Sequence, residues 1–385
     1  MNPSIKTQDE WKEWATACQS SGTPTIVQLC HPGRQSPLGA GNRSFFTKNI
    51  APSVVKLKMG PTILAKAVAA PMFGTPREMT EADIDEVIDQ FVAGAKQSYD
   101  AGFKGVELHG AHGYLLAQFL SPKSNLLNDA FGGSPTKRAE IALRIIQRIR
   151  AATNKIFCIG MKFNSVDASD SSSSFETLEQ IALVVEAGID FLEVSGGTME
   201  DMSAMQDPEA PGMKTSTLLR ESFFPSFAQA AREKFPKLVL IVTGGFRTRL
   251  GMEAALQTSG CDIVGIARPA TVIPHLPRDI ILNEGVMDEH ASVRLTSLPR
   301  SRMTEFLVLL IGSKGVGAGR EAMYYQGQIQ RIARGLKPAD TRIKALYWGE
   351  AQRKGFNIIS KPYGSLKVFR YTAYKGPASS PLTEA

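Results

Sequence analysis

Apolar positions along the chain follow two rhythms. One recurs every three to four residues and reads as amphipathic helix; the other is a short unbroken run, rich in Val, Ile and Leu, and reads as buried strand. Helical spacing marks 7–20, where Trp11, Trp14, Ala15 and Cys18 recur and Gly22 and Pro24 follow. It marks 80–101, where Ile84, Val87, Ile88, Phe91 and Ala95 share a face and Gly102 closes the helix. Thr80 followed by Asp83 resembles a capping box, although Glu or Gln is the usual partner. Further helices are predicted at 136–152, at 175–187 with Gly188 as its stop, at 215–235 and at 248–258. The strand-like runs are 25–30, 104–109, 156–162, 190–195, 238–243 and 262–266. Residues 31–79 are rich in Pro and Gly and read as too irregular for long elements.

Short apolar strands alternating with helices imply parallel βαβ crossovers and a sheet buried on both faces. The predicted fold class is α/β, a (β/α)8 TIM barrel that is N-terminally incomplete. Six strands are recognisable, and closure takes eight. Residues 1–300 are assigned to the barrel and 301–385 to a mainly helical extension packed on it. In the extension Ile329, Ile332 and Leu336, then Ile343 and Leu346, recur at helical spacing. Six parallel strands leave two open edges, at 25–30 and 262–266, and unpaired edges invite aggregation.

Composition narrows the function classes. Of 385 residues, 43% are hydrophobic and 21% charged, a balance that builds a core and excludes a disordered chain. The four Cys, at 18, 30, 158 and 261, form no CxxC pair and match neither a disulfide scaffold nor a zinc ribbon. The formal net charge is +7, but residues 301–385 hold 14 Lys and Arg against 5 Asp and Glu. The basicity therefore belongs to the extension, without blocks of like charge, and reads as a solvated helical face rather than a nucleic-acid site. The run 306–311 is far shorter than the ~20 residues that span a bilayer. The first residues are polar, with no apolar signal region, and a cytoplasmic location is expected.

Polar residues gather where the predicted strands end. Gln28 and His31, His109 and His112, Lys162, Ser195, Thr243 and Arg268 all sit at these ends, and in a parallel barrel the ends converge on one binding face. Gly244 and Gly245 lead into a helix, and Ala267 and Arg268 follow the last strand. Glycine lets a backbone approach an anion, and Arg grips phosphate bidentately, so these two units read as a phosphate site. His109 and His112 suggest zinc first, but no Cys lies near and only three other His exist, so no metal site is assigned. Two neutral imidazoles can instead polarise one carbonyl oxygen, with Tyr114 as a proton donor nearby. The plainer alternative is a pair of satisfied structural histidines.

These residues carry a family resemblance. The block from Ala101 to Pro122, with its Glu107-Leu-His-Gly-Ala-His-Gly-Tyr114 centre, resembles the signature of the Old Yellow Enzyme family, FMN-dependent ene-reductases also called NADH:flavin oxidoreductases. Gln28 to Arg34, Phe131 to Ser134 with Arg138, Thr243 to Arg247 and Ile266 to Pro269 resemble further family segments. The resemblance implies that Gln28 bonds the flavin pyrimidine edge. Lys162 stands near flavin N1, and Gly244, Gly245, Ala267 and Arg268 hold the ribityl phosphate. His109 and His112 bind the substrate carbonyl oxygen. Tyr114 protonates the α-carbon after hydride reaches the β-carbon. NADH or NADPH is the implied reductant, and the implied partner is a small enone or enal. Lys162 stands where Arg is common and keeps the charge without the planar fork. Phe131 replaces the usual Tyr, and Lys137 the usual Asn. The family's two opening strands have no counterpart here, which matches the count of six and predicts weak FMN occupancy. Two other readings share the fold: a catalytically weak remnant without stable flavin, and a flavin-free barrel lyase on a phosphorylated substrate.

Overall fold

The computed structural model describes residues 5–39, 43–44, 46–60, 62–165, 171–196, 227–293, 295, 318–338 and 372–375. The predicted helix 215–235 is described only over 227–234, and Ile343, Leu346 and the run 306–311 lie outside the described residues.

The elements in chain order are α1 (Ile5–Gln19), β1 (Ile26–Leu29), β2 (Ile50–Ala51), α2 (Ile63–Phe73), β3 (Arg77–Glu78), α3 (Glu81–Ala101), β4 (Gly105–Gly110), α4 (Leu115–Leu120), α5 (Pro135–Ala152) and β5 (Cys158–Asn164). They continue with α6 (Ser171–Glu186), β6 (Phe191–Ser195), α7 (227–234), β7 (Val239–Thr243), α8 (Arg249–Thr258), β8 (Ile263–Ile266), α9 (Arg268–Val272), α10 (Ala318–Ala333) and β9 (Thr372–Lys375). The six predicted strands are β1, β4, β5, β6, β7 and β8. They pair in that order, every neighbour parallel. The result is an open, curled sheet of (β/α)8 type that is not closed.

The alternation of each strand sorts its residues between two faces. Outward positions such as Val106, Leu108, Ile159, Met161, Leu192 and Val194 are completely buried. They meet the apolar faces of α3, with Ile84, Val87, Ile88 and Phe91, and of α5, with Ile141, Ile145 and Ile149. The helices pack in sequence on this face, α1 on α3, α3 on α5 and α5 on α6. Trp11 and Trp14 of α1 stand edge-on to Phe103, with centroids 6.1 and 5.0 Å away, and pin α1 where β4 begins. The capping box forms: Thr80 Oγ1 accepts from the Asp83 amide at 3.2 Å, and Asp83 Oδ2 accepts from the Thr80 amide at 2.8 Å. Arg77 also reaches Asp83 with two nitrogens, at 2.5 and 2.6 Å.

Two expectations need correcting. Residues 31–79 hold an 11-residue helix, α2, and the two-residue ribbon β2–β3. Apolar residues ring α2, so it shows no amphipathic period, and Pro71 lies inside it. The Thr62 hydroxyl accepts from the Ala65 amide at 3.1 Å to start it, and Gly74, at φ 73°, ends it. The expected free edge at 262–266 is also covered, because β9 pairs antiparallel with β8 through Ile263↔Lys375 to Ile266↔Thr372. Strand content in the extension was not anticipated.

Candidate active site

Register aligns the candidate residues across the strand ends. Gln28 lies beside Glu107, His109 beside Lys162, Lys162 beside Glu193 and Thr243 beside Gly265. Side chains at these inward positions form a polar layer inside a half-barrel whose outer face is apolar. Gln28 Nε2 donates to Glu107 Oε2 at 2.5 Å. Lys162 Nζ pairs with Glu193 Oε1 at 2.5 Å, with side chains only 1% and 3% exposed.

The turn after β4 shapes the histidine pair. His112 takes φ 58°, the one non-glycine residue with positive φ among those described, and Gly113 follows at 71°. That left-handed pair folds the His112 ring back onto His109, at a strain that persists only where the surroundings demand it. The centroids are 4.9 Å apart, and Tyr114 stands 4.8 Å from His109 at 87°. Tyr114 occupies the N-cap of α4 without capping it through its side chain. The Ala111 amide donates to His109 Nδ1 at 3.3 Å. Neutral His109 therefore carries its proton on Nε2 and donates to His112 Nδ1, 3.1 Å away. His112 in turn donates from Nε2 to Ser195 Oγ at 3.1 Å. Burial keeps both rings uncharged: it pushes His109 well below its ordinary pKa and His112 down to about 3. In this arrangement both N–H groups are spent within the His109–His112–Ser195 chain, so a substrate oxygen would take them by displacing His112 Nδ1 and Ser195 Oγ as acceptors; the pair adds no formal charge.

The segment after β1 clamps this turn. The Leu115 amide donates to the His31 carbonyl at 2.9 Å, and Gln35 Nε2 donates to the His112 carbonyl at 2.8 Å. Buried Gln118 accepts from the Arg34 amide at 3.2 Å and donates to the Gly113 carbonyl at 2.8 Å. Burial also lowers His31, to about 4. Arg138 braces from behind, reaching the Leu120 and Gly133 carbonyls at 2.9 and 2.7 Å and Glu176 at 2.6 Å.

At the other end of the sheet, Gly244 and Gly245 have φ 153° and 71°, and a Cβ on Gly245 would meet nothing within 4 Å. Gly245 is exposed and Gly244 half-buried, which leaves the backbone at Gly245 open to a ligand. Ala267 is exposed and Arg268 half-buried on the neighbouring strand end. This donor set suits an extended molecule, with an anionic group over Gly244, Gly245 and Arg268 and an acceptor-rich ring over Gln28 and Lys162.

Sequence reasoning did not single out Glu107, Glu193, Gln35 or Gln118. For the two glutamates a signal existed: each places a carboxylate between apolar neighbours, Val106 and Leu108 on β4 and Leu192 and Val194 on β6, at an inward position of a buried strand. Among the described residues no group of three or more His, Cys, Asp or Glu is arranged to hold a metal ion, and no helix is long and apolar enough to cross a membrane.

A NADH-dependent flavin oxidoreductase of Neonectria sp. (strain DH2) is 48% identical over 281 residues, which cover 72% of this chain and 37% of that protein. A NADH-dependent flavin oxidoreductase of Talaromyces variabilis is 42% identical over 326 residues, covering 84% of this chain and 78% of that protein. The fold matches that of morphinone reductase solved in complex with tetrahydroNAD, with a TM-score of 0.54 at 20% identity over 70% of this chain and 69% of that one. The model of the NADH:flavin oxidoreductase / NADH oxidase family matches residues 5–285, and the chain belongs to that family.

Proposed function

We propose that this chain is an FMN-dependent ene-reductase, reducing the C=C bond of a small α,β-unsaturated carbonyl compound with NADH or NADPH as electron source. The observation that carries the reading is the uncharged His109–His112 donor pair, held beside Tyr114 on the same rim as Lys162, Gln28 and the open Gly244–Gly245 backbone. The two imidazoles bind and polarise the substrate carbonyl oxygen. Tyr114 supplies a proton to the α-carbon. Lys162 places a cation near the pyrimidine ring, Gln28 bonds that ring's edge, and Gly244, Gly245, Ala267 and Arg268 hold the phosphate. FMN, when bound, supplies the hydride chemistry, while the protein orients and polarises. The division at about residue 300 into barrel and extension, and a role in fungal specialised metabolism, belong to the same proposal; the two fungal relatives support the latter. The test is to purify the full chain, record its flavin absorbance, and follow NADH or NADPH oxidation with cyclohexenone as probe. A protein with no flavin band that binds none on titration overturns the reading. One that binds FMN and oxidises NADH but never reduces the enone overturns the substrate class.

A further inference from the structure

The polar layer of the half-barrel holds more charge chemistry than the proposed reaction uses. Glu107 on β4, Lys162 on β5 and Glu193 on β6 are all at least 97% buried, and their acidic and basic groups touch. Lys162 Nζ pairs with Glu193 Oε1. Glu107 Oε2 accepts from Gln28 Nε2. Among the described residues no N–H or O–H donor reaches Glu107 Oε1, which is buried, and the Glu107 carboxyl meets that of Glu193. A buried carboxylate oxygen with no donor, set against a second carboxylate, is untenable unless a proton lies between them. One ammonium also balances only one carboxylate.

We propose that Glu107 and Glu193 share a single proton, carried on Glu107 Oε1 and donated to Glu193, and that Glu107 is the reserve counter-ion of Lys162. Glu193 is then a positioning residue that fixes the Lys162 ammonium, and Glu107 keeps the pair at one negative charge. Among the described residues the groups facing the cluster agree with this count. Gln28 on β1 is neutral, and His109 on β4 and His112 just beyond it are held neutral. Thr243 on β7 presents an uncharged hydroxyl, and Cys158 at the start of β5 is held protonated, pushed up to about 12 by burial. The directions agree as well. Burial, and then the charge of Glu193, drives Glu107 well above the usual carboxylate range. Burial would also raise Glu193, but Lys162 and the bond from Glu107 outweigh it and hold Glu193 below that range. The layer is then electrically neutral while presenting a fixed cation to the rim, and it resists losing either charge.

The role toward a flavin rests on the proposed function, but the shared proton does not, so the test separates them. Infrared difference spectra of the full chain at neutral pH should show the C=O stretch of a protonated carboxylic acid. Glu107→Gln should abolish it. Glu193→Gln should abolish it too, because Glu107 then ionises to pair with Lys162. A parent protein without the band, a band that survives Glu107→Gln, or a band that survives Glu193→Gln would each overturn the proposal. Circular dichroism identifies a variant that fails to fold, and the parent spectrum with the other variant then decides. In flavin-loaded protein, Glu193→Gln should shift the FMN midpoint potential less than Lys162→Met does; an equal or larger shift overturns the reserve role. A chain that shows the infrared pattern but binds no flavin sinks the proposed function and leaves the shared proton standing.

Discussion

At the scale of single residues, the proposed reaction assigns binding, protonation and cofactor retention to different side chains, and each can be removed alone. Tyr114 neither caps α4 through its side chain nor stands in the His109–His112–Ser195 chain. Tyr114→Phe should therefore slow the half-reaction with an enone while leaving flavin reduction by NADH nearly intact. Stopped-flow traces of the two half-reactions measure this, and equal loss in both would count against the assignment. His109→Ala or His112→Ala removes one donor to a developing oxyanion, and should lower enone turnover by about 10²-fold or more and weaken phenol binding. The cofactor residues divide by charge geometry. In the proposed site Arg268 clamps the phosphate by charge-assisted bonds, whereas Lys162, which pairs with Glu193, sets the charge near the flavin ring. Arg268→Ala should therefore weaken FMN retention more than Lys162→Met, which should instead lower the flavin potential. Fluorescence titration of FMN into both variants checks the ranking.

At the scale of elements, the unit-to-unit joints repeat one device. Arg150 at the end of α5 pairs with Asp190 Oδ2 at 2.5 Å, and that oxygen also accepts the Ile159 amide of β5 at 2.7 Å. Arg232 in α7 pairs with Asp262 Oδ2 at 2.5 Å, and that oxygen accepts the Leu240 amide of β7 at 2.8 Å. Each staple joins a helix to the opening of two neighbouring strands, far from the catalytic rim. Asp262→Ala leaves the Leu240 amide and Arg232 without their acceptor and should cost about 1 kcal/mol, read as a lower urea midpoint at unchanged flavin content. These staples were not legible in the sequence, because Arg and Asp 30 to 40 residues apart leave no periodic trace. The strands were, because a parallel strand covered on both faces must be an apolar run. The helix starting at Glu81 was, because Thr80 and Asp83 have few other local uses. The helix starting at Ile63 was not: it is apolar all round and carries a proline, so periodicity is silent. The site followed the same rule. Its histidines and tyrosine stand in one contiguous block, whereas the Glu107–Lys162–Glu193 cluster exists only once three strands are in register.

At the scale of the whole molecule, the sheet is closed on its helical side and open within. Val242 and Leu240, facing the helices, are completely buried, while Val239 on the inner face is 39% exposed and Ile241 and Ile263 are half-buried. With β9 on β8, the two end strands of this sheet among the described residues are β1 and β9. The interior still holds enough buried titratable groups to set how stability varies with pH. His31, His109 and His112 are all lowered by burial, His31 to about 4 and His112 to about 3. Unfolding returns each to about 6.5, so below that pH the unfolded chain binds more protons than the folded one, and stability falls as pH drops from 6.5 toward 4. Glu107 acts in the opposite sense. Its folded pKa is raised by burial and by Glu193, so above the ordinary carboxylate range the folded chain holds a proton that the unfolded chain has lost. That stability is present at low pH and declines as pH rises. Three histidines outnumber one glutamate between pH 4.5 and 6.5, so the melting temperature should climb through that window. Above 6.5 the histidines stop contributing, and among the described residues the groups with raised pKa, Glu107 and toward pH 8.5 also Cys158 and Cys261, set the slope, so the curve should stop climbing. Calorimetric scans from pH 4.5 to 8.5 measure both limbs. Glu107→Gln should flatten the alkaline limb and leave the acid limb in place; if the two limbs move together, the glutamate does not carry the proton assigned to it.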